Sequence, residues 1–468
     1  MSNLIQDKED KIIDFLPYKL FEVDSKYYFY NVITNAIFEI DSMIIDILNS
    51  KGKSENQVIE DLSKCYELSK VGEVIQNMKE AYIIATDTNK SEVEKIGILN
   101  KSQKAFRLSS LTLFMVQECN LRCTYCYGEE GEYNQKGKMT SEIAKAAVDF
   151  LIQQSGEMEE LNITFFGGEP LLNFPLIQET VHYVNEQSQI HHKKFSFSIT
   201  TNGTLITPKI KSFFYKHHFG VQTSIDGDEK THNFNRFFKG GQGSYDLLLK
   251  RTEEMRNDHK IGARGTVTPI ELDLYKSFDH LVKLGFRKIY LSPALYSLSD
   301  EHYDILSKEM VKLVDRFQEL LENEDYATAK KMSNVLSMLS KIHSGGPRIH
   351  FCGAGTNAVA VDVRGNLFPC HRFVGEDECS IGNLFDEDKL SRQYDFIENS
   401  TIRNRTTCSN CWAKNLCGGG CHQENFAENG NINQPVSKLC KVTKKFITST
   451  INLYLKLTQE QRSILFGQ

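Results

Sequence analysis

The sequence predicts an α/β protein with a small α+β domain ahead of the sheet and a cysteine-rich domain behind it. Three observations carry this reading. Six strand patterns alternate with helical patterns across residues 108–325. Three strand patterns and three short helical patterns precede them, and eight of the twelve cysteines crowd between Cys352 and Cys440. Repeated βα units imply a parallel sheet, either a barrel-like array or a doubly wound sheet, with chemistry at the carboxyl ends of the strands.

In chain order, "YKLFEVD", "KYYFYNV" and "AIFEID" read as strands divided by turn-like Asp-Ser and Thr-Asn pairs. The patterns "SMIIDILNS", "SENQVIEDLSKCY" and "VGEVIQNMKEAYI" read as helices, the second opened by a capping-box pair, Ser54 and Gln57. Together they predict a winged-helix-like domain over residues 1–95. Cys65 reads as a small buried hydrophobe there. The polar stretch "ATDTNKSEVEK" (85–95) reads as linker, with a boundary at 96–107.

The sheet block, 108–325, has strands at 111–117, 162–168, 195–202, 221–226, 263–268 and 288–294, with helical patterns such as 140–154 and 273–285 between them. A helical bridge, 326–347, leads to the last block, 348–468. That block is rich in Cys and Gly and short of long helices until "KKFITSTINLYLKLTQEQRSILF". Its "CGGGCH" (417–422) suits cluster-binding backbone better than apolar core.

Composition narrows the function. A chain of 468 residues is about three times the ~150-residue domain prior. Its net charge of −6 argues against nucleic acid or an anionic membrane as partner. No apolar run approaches the ~20 residues of a membrane span. The opening "MSNLIQDKEDKIIDF" lacks the apolar core of a signal peptide, so a cytoplasmic protein is expected. Clustered cysteines in a reducing compartment point to metal or iron–sulfur ligation rather than disulfides.

The sharpest motif is "CNLRCTYCYG" (119–128), three cysteines in eight positions with Tyr125 before the last. Three thiolates on one loop can hold three irons of a [4Fe–4S] cube and leave the fourth for a small molecule; a degenerate zinc knuckle is the competing reading. Other motifs fall at later strand ends. "GGEP" supplies Gly167 and Gly168 for close backbone approach, with Glu169 as an acceptor for an ammonium and Pro170 behind it. "TNG" and "SIDG" offer donors and acceptors from Thr201, Asn202, Ser224 and Asp226.

This set resembles the radical S-adenosylmethionine (SAM) superfamily. The resemblance implies a partial (β/α)6 TIM-like barrel. Cys119, Cys123 and Cys126 would ligate a cluster whose fourth iron is chelated by SAM, and no separate catalytic residue is assigned. It assigns Gly167, Gly168, Glu169, Pro170, Thr201, Asn202, Ser224, Asp226 and Arg264 to the SAM pocket.

The carboxy-terminal string reads Cys352-x12-Gly365-x4-Cys370, then Cys408-x2-Cys411-x5-Cys417-x3-Cys421 and finally Cys440. It is similar to the SPASM domain of peptide-modifying radical SAM enzymes, which carries two auxiliary [4Fe–4S] clusters. By that resemblance Cys408, Cys411, Cys417 and Cys440 hold the second auxiliary cluster, and Cys352, Cys370 and Cys421 hold the first, leaving one iron open. Cys379 is a bystander or an eighth ligand. Three [4Fe–4S] clusters and SAM are thus the implied cofactors.

Residues 1–95 resemble the recognition element of maturases acting on ribosomally synthesised peptides, where a leader adds as a strand to a three-stranded sheet. Tyr28, Phe29 and Tyr30 are candidates for leader contact or for core. The stretch "FCGAG…GNLFPCHRFVGEDECSIGNLF" resembles thioether-forming maturases. Sulfatase-maturing relatives place a basic carboxylate directly after the cysteine matching Cys370. Here His371 stands there, which counts against formylglycine formation and leaves the base unassigned. The resemblance therefore implies a leader docked on residues 1–95, a cysteine-rich core peptide at the barrel mouth, a reductant such as flavodoxin or ferredoxin, and sulfur-to-carbon bridging. Carbon–carbon crosslinking is the nearest alternative. An iron–sulfur redox regulator is another, but a DNA reader needs a basic face that residues 1–95 lack.

Overall fold

The computed structural model describes residues 11–95, 106–405 and 407–467. Strands β1 (Tyr18–Val23), β2 (Lys26–Asn31) and β3 (Ala36–Ile40) form an antiparallel meander in the order β1-β2-β3. Three helices cover it, Ser42–Asn49, Glu55–Leu62 and Leu68–Glu80. The expected capping box is present: Ser54 accepts from the amide of Gln57, whose side chain accepts from the Ser54 amide. Such a cap satisfies two otherwise orphaned donors and contributes about 1 kcal/mol. Phe29 is buried between Tyr18 and Phe38, so it belongs to the domain's own core. Two expectations fail here. The stretch read as linker forms a helix, Asp87–Lys95, and Cys65 is exposed, three residues beyond the second helix. Asn89 explains the extra helix: its side chain accepts from the Thr86 amide and donates to the Ile84 carbonyl, a cap on a sequence that looks only polar. Apart from residues 106 and 107, the boundary expected at 96–107 lies outside the described residues.

The central sheet begins with β4 (Ser110–Gln117), followed by the short β5 (Leu121–Cys123) and β6 (Gly137–Lys138). It continues through β7 (Glu160–Gly167), β8 (Lys194–Thr201) and β9 (Gly220–Ser224); after the short β10 (Arg236–Phe238) come β11 (Ile261–Val267) and β12 (Ile289–Pro293). The six long strands run parallel in the order β4-β7-β8-β9-β11-β12. Consecutive neighbours with no reversal make a barrel-like curl rather than a doubly wound sheet, in which strand order reverses. The fold is the partial barrel of the radical SAM enzymes.

Strand alternation divides the two faces. Ile163 and Phe165, with Ile199, Val221 and Ala263, are buried against the helices, where Phe165 and Phe197 both stack on Phe219. The inward residues are mostly polar instead: Thr112, Thr164, Thr200, Gln222, Ser224 and Arg264, with Phe166, line a cavity. An apolar barrel interior would be packed shut; this lumen is built to receive a ligand.

The last block joins the same sheet. Strand β13 (Ala358–Val361) lies parallel against β4, and β14 (Asn366–Phe368) and β15 (Gly382–Asn383) extend it antiparallel. Helix Ser437–Lys456, which begins earlier than its apolar pattern, packs on helix Asp300–Glu322. The first domain rests on this block through Phe21 and Tyr30, whose rings meet the edge of Trp412 at 5.9 and 6.1 Å. Among the described residues no helix is long and apolar enough to cross a membrane.

Candidate functional site

The loop after β4 carries the first three cysteines, and β5 pins it by pairing antiparallel with β10, Cys123 opposite Arg236. Cys119, Cys123 and Cys126 line a cavity of about 380 Å³ at the carboxyl ends of the strands. Burial, with Glu169 and the other two cysteines nearby, pushes the Cys119 thiol up to about 12. Cys123 is pushed to about 11 by burial, against the pull of Arg236. Iron binding would reverse this, because a metal takes the thiolate. Anion-stabilising groups are already placed. Arg236 Nη1 stands 3.8 Å from Cys123 Sγ, the Leu121 amide donates to Cys119 Sγ at 3.4 Å, and Asn202 Nδ2 lies 3.9 Å from that sulfur. Three cysteine sulfurs on one cavity wall, with a guanidinium and an amide donor beside them, are a donor set that fits a cluster.

Of the residues assigned to the pocket, Gly167, Gly168, Thr201, Asn202, Ser224 and Arg264 line the cavity. The two glycines have a more local reason than ligand approach. A Cβ on Gly167 would sit 2.2 Å from the Val116 carbonyl oxygen, and one on Gly168 the same distance from that of Glu118. They let β7 end against the backbone that leads into the cysteine loop.

The two carboxylates are held by protein donors. Glu169 is fully buried behind the wall, and its oxygens accept from Thr201 Oγ1 at 2.8 Å, the Asn202 amide at 2.8 Å and the Leu171 amide at 3.1 Å. Burial raises it to about 7 despite these donors. Glu169 thus fixes Thr201 and Asn202 at the cavity wall. Pro170 is buried in the following 3-10 turn. Asp226 accepts from Arg236 Nε at 3.0 Å, from the Thr266 amide at 2.8 Å and from the Tyr125 hydroxyl.

Arg236, Arg372 and Arg405 escaped the sequence reading. Arg236 reaches Cys123 and Asp226 and lies 5.2 Å from the centre of the Tyr125 ring. The aromatic inside the cysteine motif was its only available signal.

The remaining cysteines gather at a second cavity of about 780 Å³, lined by Cys352, Cys370, Cys408, Cys411, Cys417, Cys421 and Cys440. Their fields divide them into two sets. Burial, then Cys421, lifts the Cys370 thiol to about 12, with Cys352 adding to it; Cys421 likewise feels Cys352. Cys440, lifted to about 11 by burial, feels Cys417, Cys408 and Cys411, while Cys408 feels Cys417 and Cys411. Cys379 is not on the cavity wall. Its thiol is raised to about 12 by burial and by its neighbours Glu378 and Glu376.

The two cavities meet at Thr112, Arg264, Ser292, Pro293, His371 and Arg372, which line both. Burial, with Arg264 and Arg372 beside it, pushes His371 down to about 3, so its imidazole is neutral. Its ring lies 4.8 Å from that of Phe166. Arg372 pairs with Glu424 at 2.6 Å, and its guanidinium lies 5.4 Å from the centre of the Tyr127 ring, next to Cys126.

Residues 107–242 match the family described as a 4Fe–4S single cluster domain. The chain is 25% identical over 464 residues to the radical SAM cyclopropyl synthase TigE of Paramaledivibacter caminithermalis, covering 92% of this chain and 93% of that protein. It is also 25% identical over 389 residues to a cysteine-type anaerobic sulfatase-maturating enzyme of Clostridium novyi, covering 77% of this chain and 99% of the relative. A solved structure titled "Native anSMEcpe with bound AdoMet" superposes with a TM-score of 0.63 at 21% identity, covering 74% of this chain and all of that one. On the radical SAM fold, these similarities support the radical SAM/SPASM-type maturase family.

Proposed function

We propose that this chain closes thioether bridges, cysteine sulfur to carbon, in a ribosomally synthesised cysteine-rich precursor peptide. The adjacency of the two cavities, which share six lining residues, supports the reading: a substrate held beside Arg264, His371 and Arg372 would lie between the SAM side and the auxiliary side. When bound, SAM and three [4Fe–4S] clusters supply electron transfer and a hydrogen-abstracting carbon radical. The chain's own share is ligation, orientation and exclusion of water.

Cys119, Cys123 and Cys126 would hold the SAM-binding cluster, with Thr201, Asn202, Ser224 and Arg264 lining the SAM cavity. Cys408, Cys411, Cys417 and Cys440 would hold the second auxiliary cluster. Cys352, Cys370 and Cys421 would hold the first, leaving one ligand position for a substrate thiol. His371, neutral at the junction, can accept a hydrogen bond there but brings no carboxylate base. Residues 1–95 would take the leader along the edge of β3, one of the two outer strands of the meander. A flavodoxin or ferredoxin in the cytoplasm would deliver electrons.

The test is mass spectrometry of the precursor after anaerobic reaction with SAM and reductant. Each bridge should cost two hydrogens and one alkylatable thiol. A second reading, carbon–carbon bond formation, draws on the similarity to a cyclopropyl synthase over 92% of this chain. It predicts the same mass loss with every thiol still open to iodoacetamide.

A further inference from the structure

Arg405 is the largest side chain with essentially no exposure in the molecule, and it forms no ion pair with a carboxylate among the described residues. Its Nη1 donates to the carbonyls of Gly418 at 3.3 Å and Gly420 at 2.9 Å, and its Nη2 reaches His422 Nδ1 at 2.5 Å. Its Nε has no partner. All the acceptors are neutral, yet a guanidinium carries its charge at any accessible pH. Burying that charge without a counterion carries a large desolvation penalty.

The loop that encloses it is built around it. Gly418, Gly419 and Gly420 all take the left-handed conformation, with φ of 77°, 82° and 80°. A Cβ on Gly419 would sit 2.4 Å from Arg405 Nη1. Three successive left-handed residues are accessible only to glycine at low cost, and here they turn two carbonyls onto one cation. The same loop joins Cys417, of one cysteine set, to Cys421, of the other. Burial weighs on the Arg405 charge, and the cysteines that offset it come from both sets: Cys408 and Cys417, then Cys421 and Cys352.

We propose that Arg405 is the shared countercharge of the two auxiliary clusters, holding both reduction potentials up from a point between them. This rests on reading the seven cysteines as ligands of two clusters. The physical argument is one of sign. Each cluster with its thiolates is anionic, and reduction adds another negative charge. A fixed cation in a low-dielectric interior favours the reduced form of whichever cluster it faces. Arg405 faces both. It is a positioning charge rather than a catalytic residue, since it touches neither SAM nor substrate.

The experiment uses full-length protein reconstituted anaerobically, with Cys119, Cys123 and Cys126 replaced by alanine so that only auxiliary clusters are observed. Iron content in this parent tests the cluster reading by itself: about eight irons support it, and four or fewer overturn it whatever Arg405 does. Redox titration followed by electron paramagnetic resonance then compares the parent with Arg405→Met and Arg405→Lys. Arg405→Met should lower both reduction equilibria at least tenfold, about 59 mV more negative for each one-electron couple. Arg405→Lys, which keeps the charge, should titrate near the parent. Iron lost from Arg405→Met but kept in Arg405→Lys would equally support the countercharge. Unchanged potentials in Arg405→Met, a shift at one cluster only, matching shifts in both variants, or iron lost from both would overturn it.

Discussion

The carboxylate of Glu169, just past the end of β7, accepts the hydroxyl of Thr201, the last residue of β8, at 2.8 Å inside a fully buried environment. With the Asn202 amide on its second oxygen, the pair locks two adjacent strand ends. Thr201 and Asn202 then face the cavity while Glu169 stands behind them. Glu169→Ala should therefore loosen Thr201 and Asn202 at the cavity wall and weaken SAM binding roughly tenfold, ~1.4 kcal/mol. Calorimetric titration with SAM at unchanged iron content checks this. Glu169→Gln, which keeps one acceptor, should fall between; equal affinity in all three proteins would remove the strut role.

Separation of the cysteine sets leads to a second expectation. Replacing Cys119, Cys123 and Cys126 together by alanine should abolish deoxyadenosine formation yet leave about eight irons, the content of two cubes. Chromatographic assay of deoxyadenosine beside iron analysis decides it, and residual SAM cleavage would place the radical chemistry elsewhere.

Cys379 provides the sharpest check on the first auxiliary set, because it lies off the cavity wall among Glu376 and Glu378. Cys379→Ala should retain iron and turnover near those of the parent. Loss of a cluster would make it the fourth ligand and close the position proposed for the substrate thiol.

His232 is one contributor to acid sensitivity. Its Nε2 meets Ser244 Oγ at 2.9 Å, and burial, with Arg236 adding, lowers it to about 4 from an ordinary 6.5. Below pH 6.5 the unfolded chain binds a proton that the folded chain refuses, so stability falls as pH falls. Between pH 7 and 5 this amounts to about 2 kcal/mol. Denaturant titrations across that range should show His232→Gln losing correspondingly less than the parent.

Trp412 is the only tryptophan in the chain and follows Cys411 directly. Its contacts with Phe21 and Tyr30 make it a reporter of how the first domain is seated. Deleting residues 1–95 should red-shift its emission, leave slow substrate-independent SAM cleavage and collapse precursor modification. Full processing of a leader-bearing precursor by the truncated enzyme would end the recognition role.

What the sequence determined by itself is whatever depends on spacing along the chain. The inward–outward alternation of β7 and β8, the Ser54–Gln57 cap, the loop of Cys119, Cys123 and Cys126 and the seven-cysteine string were all legible, because their partners lie within a few residues or repeat at a fixed period. Short strands were not. β5, β10 and β13 have too few residues to show a period and exist because a neighbouring strand pairs with them. The choice between barrel and doubly wound sheet was equally hidden, since identical βα units serve both and only the order of pairing separates them. Side-chain roles followed the same divide. Glu169 could be singled out by its motif, but its partner Thr201 is 32 residues on, and nothing local says that its oxygens are already occupied. Arg236 reaches Cys123 across 113 residues, and Arg405 finds its carbonyl partners only where the glycine loop folds back over it. Covalent spacing specifies which groups a segment offers. Which of them face one another, and which charge is buried beside which, is decided by packing at a distance and belongs to the tertiary structure alone.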